Sequence, residues 1–336
     1  MAYSESTDSS LTAGLYPWQV PQWQKIQSQQ KADKLPHALL LTGKQGLGKR
    51  VFAETLAHSL LCQQPMDNGT ACGVCAACQL LVAHTHPDLL VLQAEEAGKA
   101  LKVDEVRELS SRLQLTSQFG GYKVALIVDA HDMNINAANS LLKTLEEPAQ
   151  QSVLILVSSR EEKLPITVRS RCQRIIFNEP DETMAVDWLS GQGVEDSAQL
   201  LRLAHGAPLL AQQLKAGELY EQHQQLIKSL LALAANQPLL AQAELLHKLP
   251  LAYLLNWLYD WVQDLIKLHQ CGDQAVLVHE AYRRELSQLV GRSSLSALYD
   301  YLEQLLKQKQ LQSIPLNSQL LWEDLLLSWS RQLKRV

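Results

Sequence analysis

Short, nearly unbroken apolar runs recur through the first half of this chain, at residues 37–42, 88–92, 123–129, 153–158 and 173–177. Runs of this length, bounded by Gly, Pro or polar residues, read as strands buried on both faces. Between them the apolar period lengthens to that of a helix. Residues 51–61 follow it, residues 103–113 place Val103, Val106 and Leu109 on one side, and residues 137–147 continue it until Pro148 stops the helix. Gly120-Gly121 turns the chain into the third run. Strands alternating with helices predict an α/β domain on a parallel five-stranded sheet covered on both faces.

From Asn178 the strand pattern stops. Asp181-Glu182-Thr183 followed by apolar residues at 184–189 reads as a capped helix, and residues 197–203 and 208–214 supply two more. Farther on, Tyr253, Leu254, Trp257, Leu258, Trp261, Leu265 and Leu268 share one broad helical face, with breaks expected at Pro250 and Gly291. That stripe reads as core or oligomer packing.

At 336 residues the length suggests two or three domains. With 46% hydrophobic and 19% charged residues, wholesale disorder is excluded. The net charge of −5 and the absence of any run of five basic residues argue against tight, autonomous DNA binding. No apolar stretch has the length of a membrane span, and the polar first dozen residues, expected to be disordered, lack the basic and apolar regions of a signal peptide. A cytoplasmic location is therefore expected. In a reducing compartment, clustered cysteines point to metal instead of disulfides.

Four of the six cysteines do cluster, as Cys62-x9-Cys72-x2-Cys75-x2-Cys78. Four thiolates suit a closed, structural, tetrahedral Zn²⁺ site holding together a segment too small for its own core. The Cys-x2-Cys-x2-Cys run also resembles an iron–sulfur ligand set, which colour would distinguish. His84 and His86 are close enough in sequence to act as substitute ligands, although four sulfurs already complete the shell. Cys172 reads as a small buried residue, and Cys271 receives no role.

The chemistry-bearing motif follows the first strand. Gly43-Lys44-Gln45-Gly46-Leu47-Gly48-Lys49-Arg50 matches a phosphate-binding loop until its last position, where Ser or Thr would ligate Mg²⁺. Arg50 cannot ligate a cation. Gly43, Gly46, Gly48 and Lys49 could still cradle a phosphate. The third strand ends in Asp129, the Walker B arrangement for holding Mg²⁺, but the residue after it is Ala130 where an ATP-hydrolysing enzyme usually has Glu.

These motifs together resemble one family. The segment 137–148 with its Asn-Ser-Leu-Leu-Lys-Thr-Leu-Glu-Glu-Pro core, Ser170-Arg171-Cys172, the four-cysteine insert, Tyr16-Pro17-Trp18 and Thr85-His86-Pro87-Asp88 resemble the AAA+ subunits of replicative sliding-clamp loaders, and among them the delta-prime branch of bacterial DNA polymerase III. The resemblance is strong over residues 16–210 and weak in the helical remainder. It implies a RecA-like AAA+ domain over residues 1–177 with the zinc module at 62–78, a three-helix lid at 178–217, and a helical collar at 218–336. It also implies a five-subunit assembly in which motor subunits bind ATP at their interfaces and load a clamp on primed DNA. In that family the Ser-Arg-Cys motif supplies an arginine finger, so Arg171 is expected to reach a neighbouring subunit's ATP. The alternative is an Arg pairing with a surface carboxylate.

The implied partners are motor subunits, a delta subunit, the sliding clamp and, through the assembly, primer-template DNA, with no membrane. His205-Gly206-Ala207-Pro208 lacks the lid Arg of the motors. With Arg50 and Ala130, that makes three losses arguing against hydrolysis, while nucleotide binding stays open. Two other functions compete: an active clamp-loader ATPase, and a zinc-dependent nucleic-acid binder using Lys99, Lys102, Arg107 and Arg112. In the leading reading Arg171, Arg169 and Arg174 together face a motor subunit.

Overall fold

The computed structural model describes residues 14–94, 99–249, 251–310 and 317–333. The polar opening residues 1–13 and the expected break at Pro250 lie outside these. Two compact units are formed, Met1–Pro180 and Asp181–Val336.

The first unit follows the expected alternation. After α1 (Val20–Lys31) come β1 (Ala38–Thr42), α2 (Lys49–Leu61), α3 (Ala76–Val82), β2 (Leu89–Leu92), α4 (Val103–Leu113) and β3 (Lys123–Ile127). Then follow α5 (Ile135–Ser140), α6 (Leu142–Glu146), β4 (Ser152–Ser158), α7 (Ile166–Arg169) and β5 (Gln173–Ile176). The sheet order is β2-β3-β4-β1-β5, with every pairing parallel. All residues of β1, β3 and β4 are buried, as the unbroken apolar runs require, whereas the edge strands β2 and β5 are partly exposed. Alternation splits the apolar residues between two layers. Leu40, Ile127 and Leu156 join Val106, Leu109 and Ala138 in a core beneath α4 and α5. α2 packs on β3 and β4, its Phe52 meeting the rings of Trp23 and Phe177 edge-on.

The segment expected as one helix over 137–147 is two. The Leu141 N–H bonds to the Ala138 carbonyl in a tight i−3 turn at 3.2 Å, and this separates α5 from α6. Asn134 caps α5 by accepting from the Ala137 N–H at 2.9 Å.

The second unit is helical: α8 (Glu182–Gly191), α9 (Ser197–Leu203), α10 (Pro208–Ala216), α11 (Leu219–Ala234), α12 (Leu239–Leu246), α13 (Leu251–Cys271), α14 (Arg283–Val290), α15 (Leu295–Gln310) and α16 (Ser318–Gln332). Asp181 precedes α8 as expected, but its side chain makes no capping bond. One apolar core runs from Leu189 and Leu200 through Leu230, Trp257 and Trp261 to Trp322 and Trp329. Of the α13 stripe, only Tyr253 is half exposed and the other six residues are buried. The stripe is therefore interior packing of this unit and leaves almost no exposed face. Inside that core Asp264 accepts from the N–H groups of Val278 and His279 and pairs with the His279 ring at 2.8 Å, and the Nε2 atoms of His279 and His223 lie 3.1 Å apart.

Three histidines are held uncharged by the fold. Burial, then His84 and His86, push His58 down to about 4. Burial, then Arg160, Lys163 and Lys49, push His131 to about 4, and burial with His279 pushes His223 to about 3. All three protonate near 6.5 when unfolded, so the stability they contribute is complete above 6.5 and is lost as pH falls from there toward 4. Asp88 extends the decline: burial would raise its pKa, but the N–H groups of Gln118 and Phe119, the Ser117 hydroxyl and Lys123 hold it below the ordinary 3.8. Chemical-denaturation stability is thus expected to fall continuously below pH 6.5, and a His58→Gln, His131→Asn double variant to flatten the slope between pH 6.5 and 4. An equally steep slope in that variant would contradict this assignment.

Candidate functional site

The loop between β1 and α2 has the shape its glycines require. Gly43 (φ 142°) lies so close to Phe177 that a Cβ would stand 2.3 Å from its carbonyl oxygen. Gly48 (φ 77°) starts α2, and a Cβ there would stand 2.5 Å from the Tyr16 ring. The backbone path of a phosphate loop is therefore intact.

Its chemistry is engaged elsewhere. The Lys49 side chain is buried, and its Nζ donates to the Lys44 carbonyl at 2.5 Å and to Ser159 Oγ at 3.1 Å. Arg50, at the position of the metal-binding hydroxyl, donates from Nε to Glu54 at 2.9 Å. β3 ends before Asp129, which has left-handed backbone (φ 49°), and buried Ala130 follows it. Burial raises the Asp129 carboxyl pKa, against the opposing pull of Lys49, Arg50 and Arg160.

The chain also covers its own loop. Trp18 Nε1 donates to the Leu47 carbonyl at 3.0 Å, and the fully buried Gln19 donates to the carbonyls of Leu47 and Gly48 at 3.0 and 2.9 Å. Tyr16 stacks on Trp18 with centroids 5.0 Å apart. Beside the loop lies an open cleft of about 530 Å³ bordered by Lys44, Ser159 and three carboxylates, Glu161, Glu162 and Glu179. Lys44 pairs with Glu179 at 2.5 Å, and Arg174 pairs with Glu161. A triphosphate entering here would meet those carboxylates.

The four cysteines meet as the spacing suggests. Their sulfurs all lie within 4.8 Å of one another, with Cys62–Cys78 at 3.6 Å and Cys62–Cys75 and Cys72–Cys78 at 3.9 Å. Four sulfurs about 2.3 Å from a tetrahedral ion stand about 3.8 Å apart, so this set fits Zn²⁺. N–H groups point at three of the sulfurs: Cys72 to Cys62, Cys75 to Cys72 and Cys78 to Cys75, at 3.3 to 3.5 Å. Such bonds from Val74 and Cys75 hold the Cys72 thiol pKa down. Cys75 falls to about 6, where the Cys78 and Gln63 N–H groups overcome burial. Burial raises the pKa values of Cys62 and Cys78. His84 and His86 are not part of the cluster; His86 Nδ1 instead accepts the Asp88 N–H at 3.2 Å. The module is fastened to the domain by Trp23 Nε1 donating to Asn68, by Ser59 donating to Gly69, and by Gln27 packed on Gly69.

Arg171 follows α7 on the surface, with its side chain 37% exposed. It donates to the Thr167 carbonyl at 3.0 Å and to Glu146 at 2.6 Å. Arg174 pairs with Glu161 at the cleft beside the chain's own loop, whereas Arg171 pairs with Glu146. Cys172 is buried and burial pushes its thiol up to about 12, which leaves it inert at neutral pH. Of the basic residues noted around α4, Lys102 just before the helix and Arg107 and Arg112 on it pair with Glu105, Asp104 and Glu108 of that helix.

A phosphate loop after the first strand, a parallel sheet in the order 2-3-4-1-5, and a following helical unit define an AAA+ P-loop protein. A family model described as DNA polymerase III, delta subunit, matches residues 18–181, and one described as its C-terminal part matches residues 217–331. The chain is 39% identical to DNA polymerase III subunit delta-prime of Pseudomonas aeruginosa, over 95% of this chain and 98% of that protein. It is 33% identical to the Escherichia coli delta-prime subunit, over 93% and 94% of the two chains. The chain belongs to the DNA polymerase III delta-prime family. A solved DNA polymerase III gamma-subunit-related protein of Thermotoga maritima aligns with it at a TM-score of 0.47 and 18% identity, covering 92% of this chain and 99% of that one.

Proposed function

We propose that this chain is the non-hydrolysing delta-prime-type subunit of a DNA polymerase III clamp loader, completing the ATP site of an adjacent motor subunit with Arg171. The observation that carries this reading is an intact phosphate-loop backbone whose reactive side chains are already engaged, together with an arginine held at the surface elsewhere on the domain. Lys49 is bound by the loop's own carbonyl, Arg50 by Glu54, and the residue directly after Asp129 is Ala130. Arg171 is permanently charged and planar, suited to stabilise charge spreading over a transferring phosphoryl group. Within this proposal residues 178–217 act as the lid and 218–336 as the collar. The partners are motor subunits, a delta subunit, the sliding clamp and primed DNA, in the cytoplasm.

The cysteine module is proposed to hold a structural Zn²⁺ on Cys62, Cys72, Cys75 and Cys78. Bound there, the ion would cross-link α2, the 62–75 loop and α3. This chain's own loop, Gly43, Gly46, Gly48 and Lys49, is proposed to contribute shape and not turnover. The expected result is no ATP hydrolysis by the isolated chain, and wild-type turnover by a reconstituted loader carrying Lys49→Ala in this subunit. Turnover by the isolated chain that disappears in Lys49→Ala would instead establish an active ATPase.

A further inference from the structure

The Leu-Glu-Glu-Pro end of the 137–148 segment has no task in the reading above, yet its first glutamate meets Arg171. The Arg171 guanidinium uses Nη2 toward Glu146 Oε1 at 2.6 Å and Nη1 toward the Thr167 carbonyl at 3.0 Å. The two acceptors belong to different elements, α6 and α7, and each is anchored from beneath. Leu145 is buried and its carbonyl accepts from the His37 ring at 3.0 Å, while the Glu147 carbonyl accepts from Gln114 at 3.1 Å. Val168 and Cys172, on either side of Arg171, are buried as well. A guanidinium carries five N–H donors, so two bonds leave others for an incoming anion.

We propose that Glu146 is a positioning residue for Arg171, holding its guanidinium with the Thr167 carbonyl in the orientation that presents the remaining N–H groups to a neighbouring subunit's nucleotide. This rests on reading Arg171 as the finger. Two effects of Glu146 oppose each other. Its charge partly offsets that of Arg171, which weakens attraction to phosphates, but solvent screens a pair whose side chains are 37% and 52% exposed. Its geometry narrows a long, flexible side chain to one rotamer, and misplacing a catalytic group by about 1 Å costs about a hundredfold in rate. Orientation therefore outweighs repulsion, and removing Glu146 slows the reaction. An exposed pair contributes little to folding, so a merely structural role predicts no such loss.

The test is clamp- and DNA-stimulated ATP turnover by reconstituted loaders carrying this subunit as wild type, Glu146→Ala, Glu146→Gln, Arg171→Ala, or the Glu146→Ala, Arg171→Ala pair, each matched for assembly and melting temperature. Glu146→Ala is expected to lower kcat by about tenfold to a hundredfold with little change in KM for ATP. Glu146→Gln, which keeps an acceptor oxygen, should recover most of that loss. In the Arg171→Ala background Glu146→Ala should have no further effect. Wild-type or faster turnover by Glu146→Ala, alongside a large loss in Arg171→Ala, overturns the positioning role and leaves the finger standing. Additive losses overturn it too, because Glu146 would then act elsewhere. No loss in Arg171→Ala removes the finger and this proposal with it.

Discussion

Replacing Arg171 with Ala in this subunit is expected to lower the ATP turnover of a fully assembled loader by about 10³-fold or more at the motor site that it is proposed to complete. The size follows from what the side chain would supply. Negative charge spreads over the equatorial oxygens as the phosphoryl group transfers, and a charge-assisted N–H donor aimed there stabilises the transition state more than the bound nucleotide. Arg171→Lys separates charge from shape. A Lys keeps the cation but loses the planar fork, whose separate Nη1 and Nη2 atoms serve the Thr167 carbonyl and Glu146, so one ammonium nitrogen cannot reproduce that arrangement. It should therefore recover only part of the activity. The fold should be indifferent to either change, since Arg171 is on the surface and its ion pair with Glu146 is partly solvated, worth about 0–1 kcal/mol. In the proposed assembly other motor sites would set the residual rate, so single-turnover measurement at the site proposed to face Arg171 would be the cleaner readout. Unchanged turnover in equally assembled loaders would remove the finger assignment.

The second large effect is expected at the cysteine cluster. Cys72→Ser leaves three sulfurs for an ion that needs four ligands, in a segment whose core consists of Cys62, Ala71 and Cys78 with Cys72 and Cys75 against them. Binding free energy at structural zinc sites is about 10–16 kcal/mol, far beyond what so few apolar atoms could replace. Metal content should fall from one ion per chain to near zero, and amide protection should vanish across residues 62–78. The loss should reach α1, because Trp23 and Gln27 hold the module at Asn68 and Gly69. Protection in β1, β3 and β4 should persist, since their burial does not depend on the module. A colourless wild-type protein would separate zinc from an iron–sulfur cluster. Full metal content and unchanged exchange in Cys72→Ser would refute the four-sulfur site.

Much of this was legible along the chain because it is local. Five apolar runs became five parallel strands; the three in the middle of the sheet, β1, β3 and β4, are buried on both faces and so have no polar side to display. The phosphate loop was readable because its glycines occupy backbone conformations that side chains rarely adopt, and the cysteines because their short spacings bring the sulfurs together within one turn and one loop. The losses at Arg50 and Ala130 needed only the motif for comparison.

What the sequence could not determine lies in contacts between residues far apart in the chain. That Trp18 and Gln19 close over Leu47 and Gly48, nearly thirty positions away, depends on where α1 comes to rest. Arg171 and Arg174, three positions apart, are equivalent in sequence, but alternation along β5 turns Arg174 toward Glu161, while the segment after α7 delivers Arg171 to Glu146. The division of residues 137–147 at Leu141 escaped the helical period because one i−3 turn hardly alters spacing. The aromatic stripe of α13 showed which side is apolar, whereas only the packing of the other helices decided that it is interior. Local backbone preference and side-chain period are properties of neighbours in sequence; the partner a polar group finds is set when distant segments pack, and there the tertiary structure alone decides.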